Sequence, residues 1–154
     1  MIIWTNSFAQ EPEVRFDRIS LEKELSQSGV TCILQDHLGF LWFATMNGLV
    51  KYDGFTFTTY IPEADNPHSI GTRDLLDVLE DHLGNLWIAT GNKGLIKFDR
   101  DQEKFTSYMH DENDPNSLIA NSINTLYEDK TGILWIGMND EGLEKFNREY
   151  FIFK

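Results

Sequence analysis

The apolar positions of this chain fall in short runs broken by a turn every five to eight residues, a strand pattern that a helix does not fit. Val30 to Gln35, Leu75 to Glu80 and Ile123 to Glu128 each read as a strand ending just before an aspartate. An Asp-x-x-Gly turn follows each, with a glycine free to take positive φ. The next strand opens Leu41-Trp42-Phe43, Leu86-Trp87-Ile88 or Leu134-Trp135-Ile136. It is apolar on both faces, as suits a strand covered on both sides by neighbouring sheets. A glycine turn leads to a third strand ending in Tyr52, Phe98 or Phe146. The fourth strand, Phe57 to Tyr60 or Phe105 to Tyr108, is richer in Thr and Ser and so more exposed.

These elements recur as one unit. Trp42, Trp87 and Trp135 are separated by 45 and 48 residues, and the blocks around them match in constant order. Gly48-Leu49-Val50-Lys51-Tyr52-Asp53 matches Gly94-Leu95-Ile96-Lys97-Phe98-Asp99 and Gly142-Leu143-Glu144-Lys145-Phe146-Asn147. Asn66-Pro67-His68-Ser69-Ile70 matches Asp114-Pro115-Asn116-Ser117-Leu118. A small four-stranded antiparallel sheet cannot bury two apolar faces alone, and radial stacking of such sheets is the solution of a β-propeller. The fold class expected is all-β: three propeller blades of about 45–48 residues forming an incomplete, open propeller. The repeat anchors are Trp42, Trp87 and Trp135 as packing residues, with Asp36, Asp81, Asp129, Gly39, Gly84 and Gly132 in the turns.

The divisions expected are a signal-peptide tail or linker over 1–13, an outer strand and lead-in over 14–28, and blades over 29–70, 71–118 and 119–154. Val14 to Ile19 reads as a lone outer strand able to complete a last blade in a closed ring. The third blade reaches only the start of its fourth strand, so the chain reads as a fragment of a longer propeller. Ser7-Phe8-Ala9 fits a small-x-small cleavage signature, although an ordinary N-terminus fits equally. An isolated wedge of three blades would expose strand edges and an apolar face, and so tend to associate.

Composition narrows the function. With 25 acidic and 13 basic residues the net charge is −12, and the four segments 1–28, 29–70, 71–118 and 119–154 carry −2, −3, −5 and −2. No basic face is available for a phosphate backbone, which argues against nucleic-acid binding. The lone Cys32 rules out an intramolecular disulfide and reads as a buried thiol. His37 and His82 hold the same turn position, where Lys130 stands in the third repeat, so they read as turn residues and not as metal ligands. The acidic stretch Asp111 to Ser117 lacks the sixth-position glycine and twelfth-position glutamate of an EF-hand loop. No nucleophile elbow, phosphate loop or dinucleotide fingerprint is present, and no metal or cofactor is implied.

The run Glu80-Asp81 through Gly84-Asn85-Leu86-Trp87-Ile88, closed by Gly94-Leu95-Ile96-Lys97-Phe98-Asp99, resembles the two-component regulator propeller repeat. So does Leu25-Ser26-Gln27-Ser28 through Ile33-Leu34-Gln35-Asp36, which looks like an N-terminal blade. Departures are small: Ala44 and Ala89 stand for a more usual glycine, and Met138 for a threonine. The resemblance implies a periplasmic sensor region of a bacterial hybrid sensor histidine kinase, anchored in the inner membrane. It further implies a β-sandwich, a membrane helix and a kinase downstream, with response-regulator, DNA-binding or, in relatives, diguanylate cyclase outputs. Glycan breakdown products are the implied signals.

Propellers bind ligands through loops at one face around the channel. Here the turns between second and third strands and the starts of first strands supply Asn47, Arg73, Asn92, Lys93, Asn121, Asn139 and Asp140. Their amide and charged groups suit sugar hydroxyls. The expected function is therefore non-enzymatic ligand sensing, with an oligosaccharide, the remaining blades, downstream signalling domains and a second copy as partners. A streptogramin lyase-like enzyme and a purely structural or dimerising scaffold are the competing readings.

Overall fold

The computed structural model describes residues 29–147 together with 15 and 152–153. Apart from Arg15, the outer strand expected over 14–19 lies outside the described residues, as does the signal-peptide tail. Twelve strands make up the described fold, in three sheets. The first sheet holds β1 (Val30–Gln35), β2 (Leu41–Thr45), β3 (Gly48–Tyr52) and β4 (Phe57–Tyr60). The second holds β5 (Leu75–Glu80), β6 (Leu86–Thr90), β7 (Leu95–Asp99) and β8 (Lys104–Tyr108). The third holds β9 (Ile123–Glu128), β10 (Leu134–Met138), β11 (Leu143–Asn147) and β12 (Ile152–Phe153). Every strand pairs antiparallel with its sequence neighbour, and none of the sheets closes on itself. The fold is an open β-propeller of three blades, and among the described residues no helix is long and apolar enough to cross a membrane.

Each blade repeats the others in detail. The ladder between first and second strands slips by one residue near the start of β1 and β5 and the matching point of β9, a bulge that sharpens the twist of each blade. Phe153 pairs with Phe146 as Phe57 pairs with Tyr52, so β12 is the start of a fourth strand in the expected register. The first strands β1, β5 and β9 lie side by side across the blades, which makes them the inner strands.

Two cores fill the seams between blades. The first gathers Trp42, Leu49, Leu75, Val78, Ile88, Ile96 and Phe98 from blades one and two. The second gathers Trp87, Leu95, Leu126, Leu134, Ile136 and Phe146 from blades two and three. Because side chains alternate across a strand, each second strand sends its tryptophan forward to the next blade and the following residue back to the preceding one. In the middle blade both faces are covered, and all five residues of β6 are buried. The indoles meet a ring from the next blade edge-on, Trp42 on Phe98 at 5.7 Å and Trp87 on Phe146 at 5.5 Å between centroids.

Trp135 departs from this expectation. Trp42 and Trp87 are each 1% exposed, whereas Trp135 is only half-buried. The forward face of the third blade has no described sheet against it, so the surface that packs in Trp42 and Trp87 is partly open. Cys32 likewise is half-buried rather than enclosed, lying against the first core.

Candidate functional site

The two ends of the blades are built differently. At one end, each turn aspartate closes its own turn and holds the tryptophan six residues on. Asp36 Oδ1 accepts the N–H groups of Leu38 and Phe40 at 3.0 and 2.9 Å, and its Oδ2 accepts the Trp42 indole N–H at 2.7 Å. Asp81 repeats this with Leu83, Asn85 and Trp87, and Asp129 with Thr131, Ile133 and Trp135. Gly39, Gly84 and Gly132 stand at φ of 91°, 81° and 82°, a left-handed conformation that the turn requires and that costs glycine little. Burial raises the Asp36 pKa, but donation from Trp42, Arg100 and the Phe40 amide more than offsets this and holds it below the ordinary range. Asp129 is depressed by the Thr131 hydroxyl first and the Trp135 indole second.

The same end carries bridges between blades that reading one repeat at a time does not reveal. The His37 N–H donates to Glu80 Oε2 at 2.7 Å and its Nδ1 lies 2.7 Å from Oε1. His82 and Glu128 repeat both contacts at the same distances. His37 and His82 are turn residues, as expected, but they also tie each blade to the next. Arg100 adds a third bridge at the first seam, donating to Asp36 at 2.5 Å and to Glu80. The signal was present in the sequence: Glu80 and Glu128 recur one residue before the turn aspartate, and the histidines one residue after it.

The other end holds all seven candidate ligand residues, because the β2–β3, β6–β7 and β10–β11 turns lie beside the starts of β1, β5 and β9. These turns are pinned by the chain entering the first strands. Gly48 N–H donates to Arg73 O at 3.0 Å, Gly94 N–H to Asn121 O at 2.9 Å, and Asn139 N–H to Ser122 O at 3.3 Å. Gly94 is required by close approach: a Cβ there would lie 2.1 Å from the Tyr108 carbonyl oxygen.

Within this set, Arg73 and Asn47 meet directly, the guanidinium Nη1 donating to Asn47 Oδ1 at 2.8 Å. Asn139 and Asp140 are neighbours whose side chains approach to 3.4 Å, and Asn139 Oδ1 also accepts from Asn124 at 3.2 Å. Asn92 and Lys93 are exposed, and the Lys93 backbone N–H is held by the Thr90 hydroxyl at 2.8 Å. Asn121 serves the scaffold: its Oδ1 accepts the His110 N–H at 2.8 Å. A cleft of about 380 Å³ beside His37, Glu80, Asp81 and His82 lies at the opposite end from these seven. Another, of about 180 Å³, runs past Tyr60, Glu63, His68 and Glu103 at the outer rim. Among the described residues no three His, Cys, Asp or Glu side chains group as metal ligands.

The comparisons with known proteins bear on this arrangement. A family model described as the two-component regulator propeller matches residues 24–47 and 117–140. The extracellular domain of a hybrid two-component system from Bacteroides thetaiotaomicron superposes with a TM-score of 0.82 at 34% identity, over 90% of this chain and 19% of that one. Parts of the first and third blades thus match the two-component regulator propeller repeat. A histidine kinase P4 from Formosa agariphila is 48% identical over 46 residues, 30% of this chain and 3% of that protein. The repeats therefore span only a small part of these relatives. Virginiamycin B lyase from Staphylococcus aureus superposes with a TM-score of 0.61 at 13% identity, over 82% of this chain and 40% of that one, a likeness of fold alone.

Proposed function

We propose that these repeats form part of an extracytoplasmic, ligand-sensing propeller in a hybrid two-component sensor, and that the ligand is derived from a glycan. The observation that carries the reading is the 34% identity, over 90% of this chain, to an extracellular domain of such a system. The ligand would meet the end that holds Asn47, Arg73, Asn92, Lys93, Asn139 and Asp140. The coupled Arg73 and Asn47 offer donors and acceptors of the kind vicinal hydroxyls require.

In this reading the segment is not an enzyme. Binding would favour one of two arrangements of the sensor, with a second copy as the partner and a kinase beyond the membrane as the output. The parent protein would sit in the inner membrane with the repeats in the periplasm. Calorimetry of the whole sensor region against a panel of oligosaccharides tests the proposal. Binding that Arg73→Ala abolishes supports it, and heat-silent titrations across the panel contradict glycan sensing.

A further inference from the structure

We infer that the cleft at the outer rim of the first seam binds a small primary amine, and that Glu103 receives its ammonium group. The cleft, of about 180 Å³, lies where β4, the connector from blade one to blade two, and the start of β8 converge. That volume is below the roughly 300–1,000 Å³ of pockets for drug-sized ligands and suits a body no larger than one small ring.

Glu103 stands out by its backbone. It is the one non-glycine among the described residues with positive φ, at 50°. This left-handed conformation is uncommon for a residue with a Cβ, and glycine adopts it more readily. Two residues before the first ring of the fourth strand, the other blades carry Phe55 and Phe151, so the repeat itself asks for no acid there. A glutamate held in a strained conformation points to a role for its side chain.

The cleft around it is preformed and holds free polar groups. The Tyr60 hydroxyl, the His68 imidazole and the Glu103 carboxylate line it and make no hydrogen bond to any described residue. The connector is fixed by the Ser69 and His68 N–H groups, which donate to Asn66 O and Oδ1, each at 3.0 Å. The Phe105 N–H then ties it to β8, donating to His68 O at 3.0 Å. Ile70 and Phe105, both buried, give the cleft its apolar lining. Such a site binds at little ordering cost.

The lining selects a cation. The carboxylates of Glu63 and Glu103 are acceptors when ionised, and the Tyr60 hydroxyl can accept as well. Burial, and after it the Glu103 charge, raises the Tyr60 pKa, so the phenol stays protonated. Tyr60 and Phe105 meet edge-on at 5.6 Å, and an aromatic wall attracts cations over anions. No lysine or arginine among the described residues lines the cleft, and Lys104 donates its ammonium to Gln102 at 3.0 Å. A ligand ammonium brings three donors to these acceptors. None of the seven residues at the channel end lines this cleft, so the inference stands whether or not a glycan binds them.

The test is an NMR titration of the full isotope-labelled chain at pH 7 with glucosamine, glucose and glucuronate. Glucosamine should shift the Ser69 and Phe105 amides saturably, with an affinity about tenfold or more above that of glucose. Glucuronate should leave them unmoved. Glu103→Gln should weaken glucosamine binding by about tenfold or more. Glu103→Gly relieves the left-handed strain, so it should melt no lower than the parent while losing the glucosamine shifts. A lower melting temperature for Glu103→Gly would assign the glutamate to the fold and count against a ligand role. The inference is overturned if glucosamine gives no saturable shift, or if glucose binds as tightly. Shifts that persist in Glu103→Gly, or that fall on Asn47 and Arg73 instead, overturn it equally.

Discussion

Trp87 and Trp135 are held by the same clamp and yet sit in different surroundings. Each indole N–H donates to its turn aspartate, at 2.7 and 2.8 Å. Trp87 then meets Phe146 of the next blade and is 1% exposed, while Trp135 lacks such a cover among the described residues and stays half-buried. The clamp is therefore a property of one blade, formed from residues six apart, whereas burial is a property of the seam. The two contributions to stability can be separated by comparing the same substitution at the two positions.

The largest effect expected is at Trp87, where truncation to Ala removes a buried indole and should cost about 3–5 kcal/mol in urea unfolding. Trp135→Ala should cost clearly less, because part of that surface is already in water; equal losses would break the comparison. Asp81→Ala comes next. It strands the indole N–H and the turn amides in a buried setting, at about 1–3 kcal/mol.

Glu144 sharpens the comparison from the opposite direction. It is buried where the second blade has Ile96, in the seam, with one long bond from the Ile119 N–H at 3.3 Å. Burial raises its pKa, partly countered by that amide and by His110. A folded pKa above the unfolded one means stability is fullest below the ordinary glutamate range and declines as pH rises through the raised value. Glu144→Ile should therefore stabilise the chain at pH 7 by about 1 kcal/mol and flatten that decline. A thermal melt series from pH 4 to pH 8 checks both. Asp36 acts in the other sense: its lowered pKa adds stability above the aspartate range that is lost as pH falls through the folded value. The smallest effect is expected at His82, whose side chain is mostly exposed, so that His82→Ala should cost under about 1 kcal/mol.

The strands were legible because each is a short run set off by turns, and the first strand of every blade ends at an aspartate and glycine that recur in step. The turn carboxylates and the indoles were legible for the same reason. The direction of the seams was not. Glu80 and Glu128 look like ordinary strand ends until successive repeats are laid side by side, and Arg100 has Gly54 in its place in the first blade. Trp135 carries the same local pattern as Trp87, so its partial exposure depends on a neighbour that its own repeat does not encode. At the other end, Asn47 and Arg73 lie 26 positions apart in sequence and meet only because the β2–β3 turn rests on the chain entering β5. Asn121 has the composition of a ligand residue but spends its side chain on the His110 amide.

The central claim is that each blade's indole packs on the ring of the blade that follows it. A double-mutant cycle between Trp87 and Phe146, read by urea unfolding with truncation to Leu at each site, measures that contact. It should give a coupling of about 0.5–1.5 kcal/mol. The same cycle between Trp135 and Phe98, which share no seam, should be additive. Additivity at Trp87 and Phe146 would contradict the stacking of these blades.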